Sequence, residues 1–502
     1  MPDDQPISHS RPANALTSEV TGFRLERTYA ALPKLLFAEV QADEFPDPRV
    51  YLLNHQLASD LGLTLANVPD FECGRLLTGQ VLADGSRPIA QAYAGHQYGG
   101  FTILGDGRAL LLGEHRKQDG ALIDIQLKGS GMTPYSRGGD GRAALGPMLR
   151  EYLISEAMWH LNIPTTRSLA VATTGETVYR DKPARGAVLT RTAPSHIRVG
   201  TFQFAAARRD LKALRALADY TITRHYPDIQ NHADPYLEFF RQAAQRQAAL
   251  IARWQSVGFV HGVMNTDNMA VAGFTIDYGP CAFMNHYHPD TVFSSIDRHG
   301  RYCFANQPAI AQWNLVRLAE ALLPLIHTEQ QKAVEIVTAE ISLLPDMFDQ
   351  AALNLTRQKL GLTSQQVDDQ ALSRDLLTLM QNLRLDYVNT FRDLPSSRVH
   401  HEAHYQEPAF KEWYQRWTER LALDSLTPAT AQKAMNQVNP AVIARNHRVE
   451  EALRAAQTSD DLAPFKRLLA ALSEPFTDHE EFLDLRQPPP DGGEIYKTFC
   501  GT

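Results

Sequence analysis

Hydrophobic and polar positions divide this chain into stretches of different texture. From Phe23 to about Leu65, apolar runs alternate with Pro33, Pro46 and Pro48, and LLNHQLASDLGL (52–63) has the spacing of one amphipathic helix. Residues 1–20 read as a disordered tail ahead of it. From Ala90 glycine becomes frequent (95, 99, 100, 105, 107, 113), and Asp119-Gly120 predicts a hairpin turn between ALLLGEHR and ALIDIQLK. Lys128 closes the second of those strands, and residues 129–141 are a Gly- and Ser-rich loop. Residues 143–161 predict a helix with Leu145, Leu149, Leu153 and Ala157 on one face and Glu151 near its middle. SLAVATT, ETVYRD and ARGAVLTRT (167–191) predict a strand meander.

After residue 205 the spacing turns helical. ARRDLKALRALADYTITRHY and PYLEFFRQAAQRQAALIARWQSVG lead directly into His261, and 309–326 is helical again. Residues 330–480 are helix after helix, QPPPDGG (487–493) is a stiff-then-flexible linker, and EIYKTFCGT ends the chain. The expected fold class is α+β. Sheet first, then helices, with a polar loop after the second long helix, is the order of a protein-kinase-like bilobal domain. Its expected bounds are 86–330, after an N-terminal tail and extension (1–85) and before a helical C-terminal region (331–486) and a Cys-containing tail (487–502).

Composition adds bounds. At 502 residues, 44% hydrophobic and 21% charged, the chain can hold roughly two to four domains with sizeable cores. A net charge of −8 does not suggest a nucleic-acid surface, although a local basic cleft is compatible with it. The start MPDDQPISHSRPANALTSE lacks the apolar segment of a signal peptide, and no apolar run approaches membrane-spanning length. Four cysteines (73, 281, 303, 500) do not make a disulfide framework. A cytoplasmic enzyme without nucleic-acid or membrane partners is the expectation.

The chemistry concentrates in HGVMNTDNMAVAGFTIDYG (261–279). A loop with an Asn, then a short hairpin delivering an Asp, is how kinase-type centres hold Mg²⁺ on a nucleotide. Asn268 and Asp277 are hard oxygen donors suited to that ion, and nine positions separate them, enough for one hairpin. Small-molecule kinases read His-Gly-Asp, and that Asp accepts the proton of the hydroxyl being phosphorylated. Here Val263 stands in its place, and the nearest replacement is Asp267. Either the chain is an inactive kinase-like fold, or it performs phosphate chemistry of another kind.

Other residues extend the picture. The Gly-rich segment lets backbone N–H groups approach phosphate oxygens, and Lys128 can meet them as a point charge. Glu151 is the candidate partner of Lys128, with Glu156 its rival; a solvated helix charge is the alternative for Glu151. Arg191 and Arg198 can grip phosphate with forked donors, or lie on the surface. HEAH (401–404) lacks the i, i+4 His spacing of a metalloprotease helix, and His286, His288 and Asp290 lack a further ligand.

YAGHQYGGFTILGDGRALLLGE, QLKGSGMTPYSRGGDGRAALGPMLREYLISEAMWHL and HGVMNTDNMAVAGFTIDYGP resemble signatures of the selenoprotein O family, kinase-fold protein adenylyltransferases whose bacterial members carry Cys in place of selenocysteine. The resemblance implies ATP, and in some members UTP, bound in reversed orientation. AMP or UMP then passes to Ser, Thr or Tyr hydroxyls of proteins, with Mg²⁺ or Mn²⁺. It implies that Gly105, Gly107, Arg108, Asp140 and Gly141 contact nucleotide. Lys128, backed by Glu151, and Arg191 and Arg198 would hold phosphates, Asn268 and Asp277 the metal, with Asp277 also touching nucleotide. Asp267 would accept the proton. It also implies a redox role for Cys500, with Cys281 or Cys303 as the partner, though neither stands in the expected register. A kinase passing the γ-phosphate and a catalytically silent nucleotide-binding scaffold are the competing readings.

Overall fold

The computed structural model describes residues 16–490 and 497–498, so expectations for residues 1–15, for the DGG end of the linker (491–493) and for Cys500 lie outside the described residues. The chain divides into two compact units, the first formed by residues up to 92, 104–148 and 167–196, the second by 93–103, 149–166 and 197 onward.

The first unit is built on an antiparallel sheet of β1 (Leu25–Glu26), β2 (Phe37–Glu39), β3 (Arg49–Leu53), β4 (Ile89–Gln97), β5 (Gly100–Gly105), β6 (Ala109–Arg116), β7 (Leu122–Lys128), β8 (Arg167–Tyr179) and β9 (Pro183–Ala193). The order is β2-β4-β6-β7-β9-β8-β3, with β1 on β6 and β5 on β4; β4 and β5 run on into the second unit. Leu57, Leu76 and Leu77, from the helices His55–Asp60 and Asp70–Thr78, pack on Ile125, Leu127, Leu169 and Val188 of the sheet. Buried Glu114 on β6 accepts the amides of Thr28 (2.7 Å) and Tyr29 (3.1 Å), tying the N-terminal segment to the sheet.

Several expectations need correction here. Leu16 pairs with Ala83 and Ser18–Thr21 forms a helical turn, so the end of the supposed tail is ordered. The helix expected over 52–63 begins as β3. It turns helical only after Asn54, whose side chain accepts the Leu57 amide at 3.0 Å and caps Leu57's turn. SLAVATT and ETVYRD are one strand, β8, whose register against β9 shifts between Thr173 and Thr177, with Gly175 between them at φ +77°. The Asp119-Gly120 hairpin joins β6 and β7 as expected, with Lys128 at the end of β7.

In the second unit the long helices Pro235–Ser256 and Gln307–Ile326 flank a two-stranded ribbon, Phe259–Val260 against Ala282–Phe283. Contrary to the reading of the sequence, Phe304–Ile326 is long and apolar enough to cross a membrane by length and composition alone. It carries Arg317 and Glu320, and its Ala311, Leu315, Leu318 and Leu322 are buried, as in a core helix. Further on, Asp369 accepts from Arg357 and Arg420 at 2.7 Å each, and stacked Trp413 and Trp417 donate to the carbonyls of Leu372 and Leu360.

Candidate functional site

In the first unit, the loop Gly105-Asp106-Gly107-Arg108 is strapped to the loop that follows β7. Thr133 Oγ1 donates to Asp106 O (2.6 Å), Ser136 Oγ to Gly107 O (2.5 Å), and Gly129 N to Arg108 O (2.6 Å). A Cβ on Gly105 would sit 2.3 Å from the Tyr135 ring, so the backbone can lie there only as glycine. Gly141 has φ +66°, and a Cβ on it would meet the Gly131 carbonyl at 2.1 Å. Asp140 is held by Arg180 through two contacts (2.8 and 2.9 Å), and that guanidinium keeps its carboxyl below the usual range. Lys128 and Arg191 are both buried, so Arg191 is not a surface charge. Arg191 Nε donates to Gln126 Oε1 at 2.7 Å, and Gln126 Nε2 donates to buried Asp106 at 3.2 Å.

That Arg191–Gln126–Asp106 chain was missed in the sequence. The Asp inside Gly-Asp-Gly-Arg was its available signal: an acid between two turn glycines is either exposed or held by buried donors. Asp124 was missed as well, although it accepts both the amide and Nδ1 of His196 (2.9 Å each) and so fixes the segment leaving β9.

In the second unit the polar loop is held from several sides. His261 is fully buried, stacked on Trp254 (5.3 Å), and its Nε2 donates to Ile276 O at 2.9 Å, joining the loop to the strand-like run ahead of Asp277. Burial holds that imidazole below its ordinary pKa, so it is neutral. Gln307 accepts the His261 amide and donates to Phe259 O (3.0 and 2.9 Å), and Asn314 donates to Met264 O at 3.0 Å. Asn265 Oδ1 accepts from Tyr302 Oη (2.6 Å) and the Tyr98 amide (3.2 Å), and Thr266 Oγ1 accepts the His96 amide (2.7 Å).

These braces gather Arg198, Asp267, Asn268 and Asp277. Arg198 lies over the Tyr93 ring (4.3 Å), donates to Asp267 O (3.1 Å) and stands 3.5 Å from Asp277 Oδ2; it too is buried. Asp277 has φ +62°, a backbone conformation uncommon outside glycine and best tolerated by Asn and Asp. Burial pushes the Asp267 carboxyl up to about 6; Arg198 and Gln97 pull it down and Asp277 pushes it up. Its Oδ1 is buried with no hydrogen-bond partner. Asn268 Nδ2 donates to Val263 O at 3.0 Å, which leaves the amide oxygen as the free donor atom for a cation.

An amide oxygen, the Asp277 carboxylate and an orphaned carboxylate oxygen suit a hard divalent ion that keeps waters or phosphate oxygens as its other ligands. Among the described residues no group of three His, Cys, Asp or Glu could form an all-protein metal cage. Neither HEAH, whose residues are exposed, nor His286, His288 and Asp290 makes one. Glu151 and Glu156 are both buried, so neither is a solvated helix charge; Glu151 belongs to the second unit and Lys128 to the first. Cys281 and Cys303 are buried.

The family model described as "Protein adenylyltransferase SelO" matches residues 20–473. The chain belongs to the SelO family. It is 50% identical over 490 residues to the "Protein nucleotidyltransferase YdiU" of Nitrosococcus oceani, covering 98% of this chain and 99% of that one. The protein of the same name from Bacillus cereus (strain G9842) is 50% identical over 485 residues (96% and 99%), and that of Syntrophotalea carbinolica 50% over 486 (97% and 99%). As a SelO-family member the chain is an enzyme, a protein nucleotidyltransferase, and an adenylyltransferase by its family's description.

Proposed function

We propose that the chain transfers AMP from ATP, with UTP as a second donor of its nucleotide, to Ser, Thr or Tyr hydroxyls of other proteins, in a kinase-like bilobal domain of residues 86–330. The triphosphate lies reversed, so that the α-phosphorus faces the acceptor. The hydroxyl oxygen bonds to it, the bond to the bridging oxygen breaks, and pyrophosphate leaves. Gly105, Gly107, Arg108, Asp140 and Gly141 contact the nucleotide. Lys128, supported by Glu151, and Arg191 and Arg198 hold the phosphates. Asn268 and Asp277 hold Mg²⁺ or Mn²⁺, which when bound neutralises phosphate charge. Asp267 takes the proton of the acceptor hydroxyl.

One observation carries this reading. Val263, which the sequence puts in place of the usual kinase base, has its carbonyl bonded to Asn268, while buried Asp267 accepts from Arg198 through its main-chain oxygen and Arg198 also approaches Asp277. Such a centre is built for positioning and charge neutralisation more than for strong base catalysis, and displacement at phosphorus needs the former most. The test is parallel incubation with ATP labelled at the α or the γ position. Label retained on protein from the α position, with release of pyrophosphate, is the expected result; label from the γ position alone makes the chain a kinase.

A further inference from the structure

Beside the catalytic loop, the second unit carries a surface that the chemistry above does not use. The hairpin joining β4 and β5 exposes Tyr98, Phe101 and Ile103 (38, 47 and 42% exposed). Near its turn the amides of Tyr98 and His96 donate to the side chains of Asn265 and Thr266, two residues and one residue before Asp267. Large apolar side chains left this exposed at a hairpin fixed so close to a reacting centre are only partly covered by the described residues.

The neighbouring loop has matching character. Between Asp277 and the helix Gln307–Ile326, the run Ile296-Asp297-Arg298-His299-Gly300-Arg301 exposes Ile296 (56%), Arg298 and His299. Its one acid is turned inward, because Asp297 accepts the amides of Arg301 (2.9 Å) and Tyr302 (2.8 Å). The Arg301 guanidinium lies over Trp313 (5.2 Å) and Tyr302 (5.7 Å) and is the group nearest the open side of Gly99 at the hairpin tip. Among the described residues neither Arg298 nor Arg301 pairs with a carboxylate. Arg317, also over Trp313 (4.9 Å), is paired with Glu320 at 2.8 Å. Tyr98 packs edge-on against Tyr302 (5.2 Å), and Phe101 and Trp313 against His96 (5.2 Å each), so hairpin and loop form one aromatic and cationic face.

We propose that this face seats the acceptor polypeptide and selects segments with acidic residues flanking the hydroxyl. The proposal rests on the placement of Asp267 at the reacting centre given above. A protein transferase must hold a polypeptide next to its proton acceptor. Aromatic side chains and arginine are the groups that dominate such recognition, and guanidiniums resting on rings can take carboxylates with little loss of freedom. The whole chain carries −8, so an acidic partner is repelled at long range and bound only where cations are concentrated.

The test uses the full chain with saturating ATP, and two fluorescent random copolymers as probes, poly(Glu,Tyr) and poly(Lys,Tyr). The expected result is saturable binding of poly(Glu,Tyr) only, with affinity falling at least fivefold in Arg298→Glu, in Arg301→Glu and in Tyr98→Ala/Phe101→Ala, while the Kd for ATP stays within twofold. Arg298 is exposed, so its variant reports on binding even if Arg301→Glu fails to fold. Equal binding of both copolymers, no binding of either, affinities unmoved in Arg298→Glu, or an equal loss of ATP affinity overturns the proposal. Transfer of α-label to poly(Glu,Tyr) is scored separately. If binding behaves as expected and no α-label moves, the docking face stands and the adenylyl-transfer reading falls; if label moves and the variants bind normally, the reverse holds.

Discussion

Asn268 donates its side-chain amide to the main-chain carbonyl of Val263 at 3.0 Å, across the turn between the His-Gly pair and the proposed metal ligand. Position 263 thus contributes its backbone carbonyl to hold Asn268. Asn268→Asp keeps an oxygen donor but sets carboxylate oxygen against carbonyl oxygen, since it has no N–H to give. We expect Asn268→Asp to lose most transfer activity and about 1 kcal/mol of stability, and Asn268→Ala to lose at least about 100-fold in activity. Transfer of α-labelled nucleotide and urea denaturation measure the two effects.

Gly141 is the position where a methyl group does most damage to the first unit's loops. Alanine there must adopt φ +66° and meet the Gly131 carbonyl at 2.1 Å. Gly141→Ala is expected to raise the Kd for ATP at least about tenfold, equivalent to about 1.4 kcal/mol, and to lower Tm as well, because the backbone of Gly131 and Met132 must shift. Calorimetric titration with ATP decides this, and unchanged affinity would remove Gly141 from the nucleotide site.

Arg150 holds together parts of the second unit that are far apart in sequence. Its guanidinium donates to Cys281 O (2.7 Å), Asn446 Oδ1 (2.7 Å) and Glu450 Oε1 (2.8 Å). Arg150→Ala strands a buried carbonyl and amide, and is expected to cost about 3 kcal/mol. Glu450→Gln, where the acid is partly exposed (43% of its side chain) and the amide keeps an oxygen acceptor, should cost less than about 1 kcal/mol. Denaturant midpoints of the two variants make the comparison.

Buried His261 sets a pH dependence of stability. Its pKa is lowered in the folded chain, so between that value and the unfolded value of about 6.5 the unfolded chain binds the extra proton. Stability from this group is therefore full above about pH 6.5 and falls as pH drops toward the folded value. His261→Gln should lower stability at pH 8 but flatten its slope between about pH 5 and 6.5; an unchanged slope would contradict a buried neutral imidazole.

How much of this was legible in the sequence depends on the range of the interaction. Asp119-Gly120, Lys128 at a strand end, and Leu145–His160 follow from turn chemistry and periodicity within a few residues, and the structure has them. At Asn54 a local cap stops a strand and starts a helix inside one apolar pattern, so the same residues satisfied both readings. Burial of Arg191, Arg198, Glu151 and Glu156 was open in the sequence, because a charge can be buried only where donors or acceptors far along the chain meet it. Gln126 gave no signal, since its role exists only when β7 lies beside β9. Leu16 was assigned to a tail because its pairing with Ala83 spans more than sixty positions.

Asp277 combines two demands at one position, a left-handed backbone and the carboxylate proposed to ligate the metal. Replacing it with alanine removes the charge and also imposes a torsional penalty of about 1 kcal/mol, mixing chemistry with conformation. Asparagine tolerates the torsion and deletes only the charge; glycine tolerates it and deletes the whole side chain. The pair Asp277→Asn and Asp277→Gly can therefore dissect ligand charge from ligand presence in a way that alanine scanning cannot.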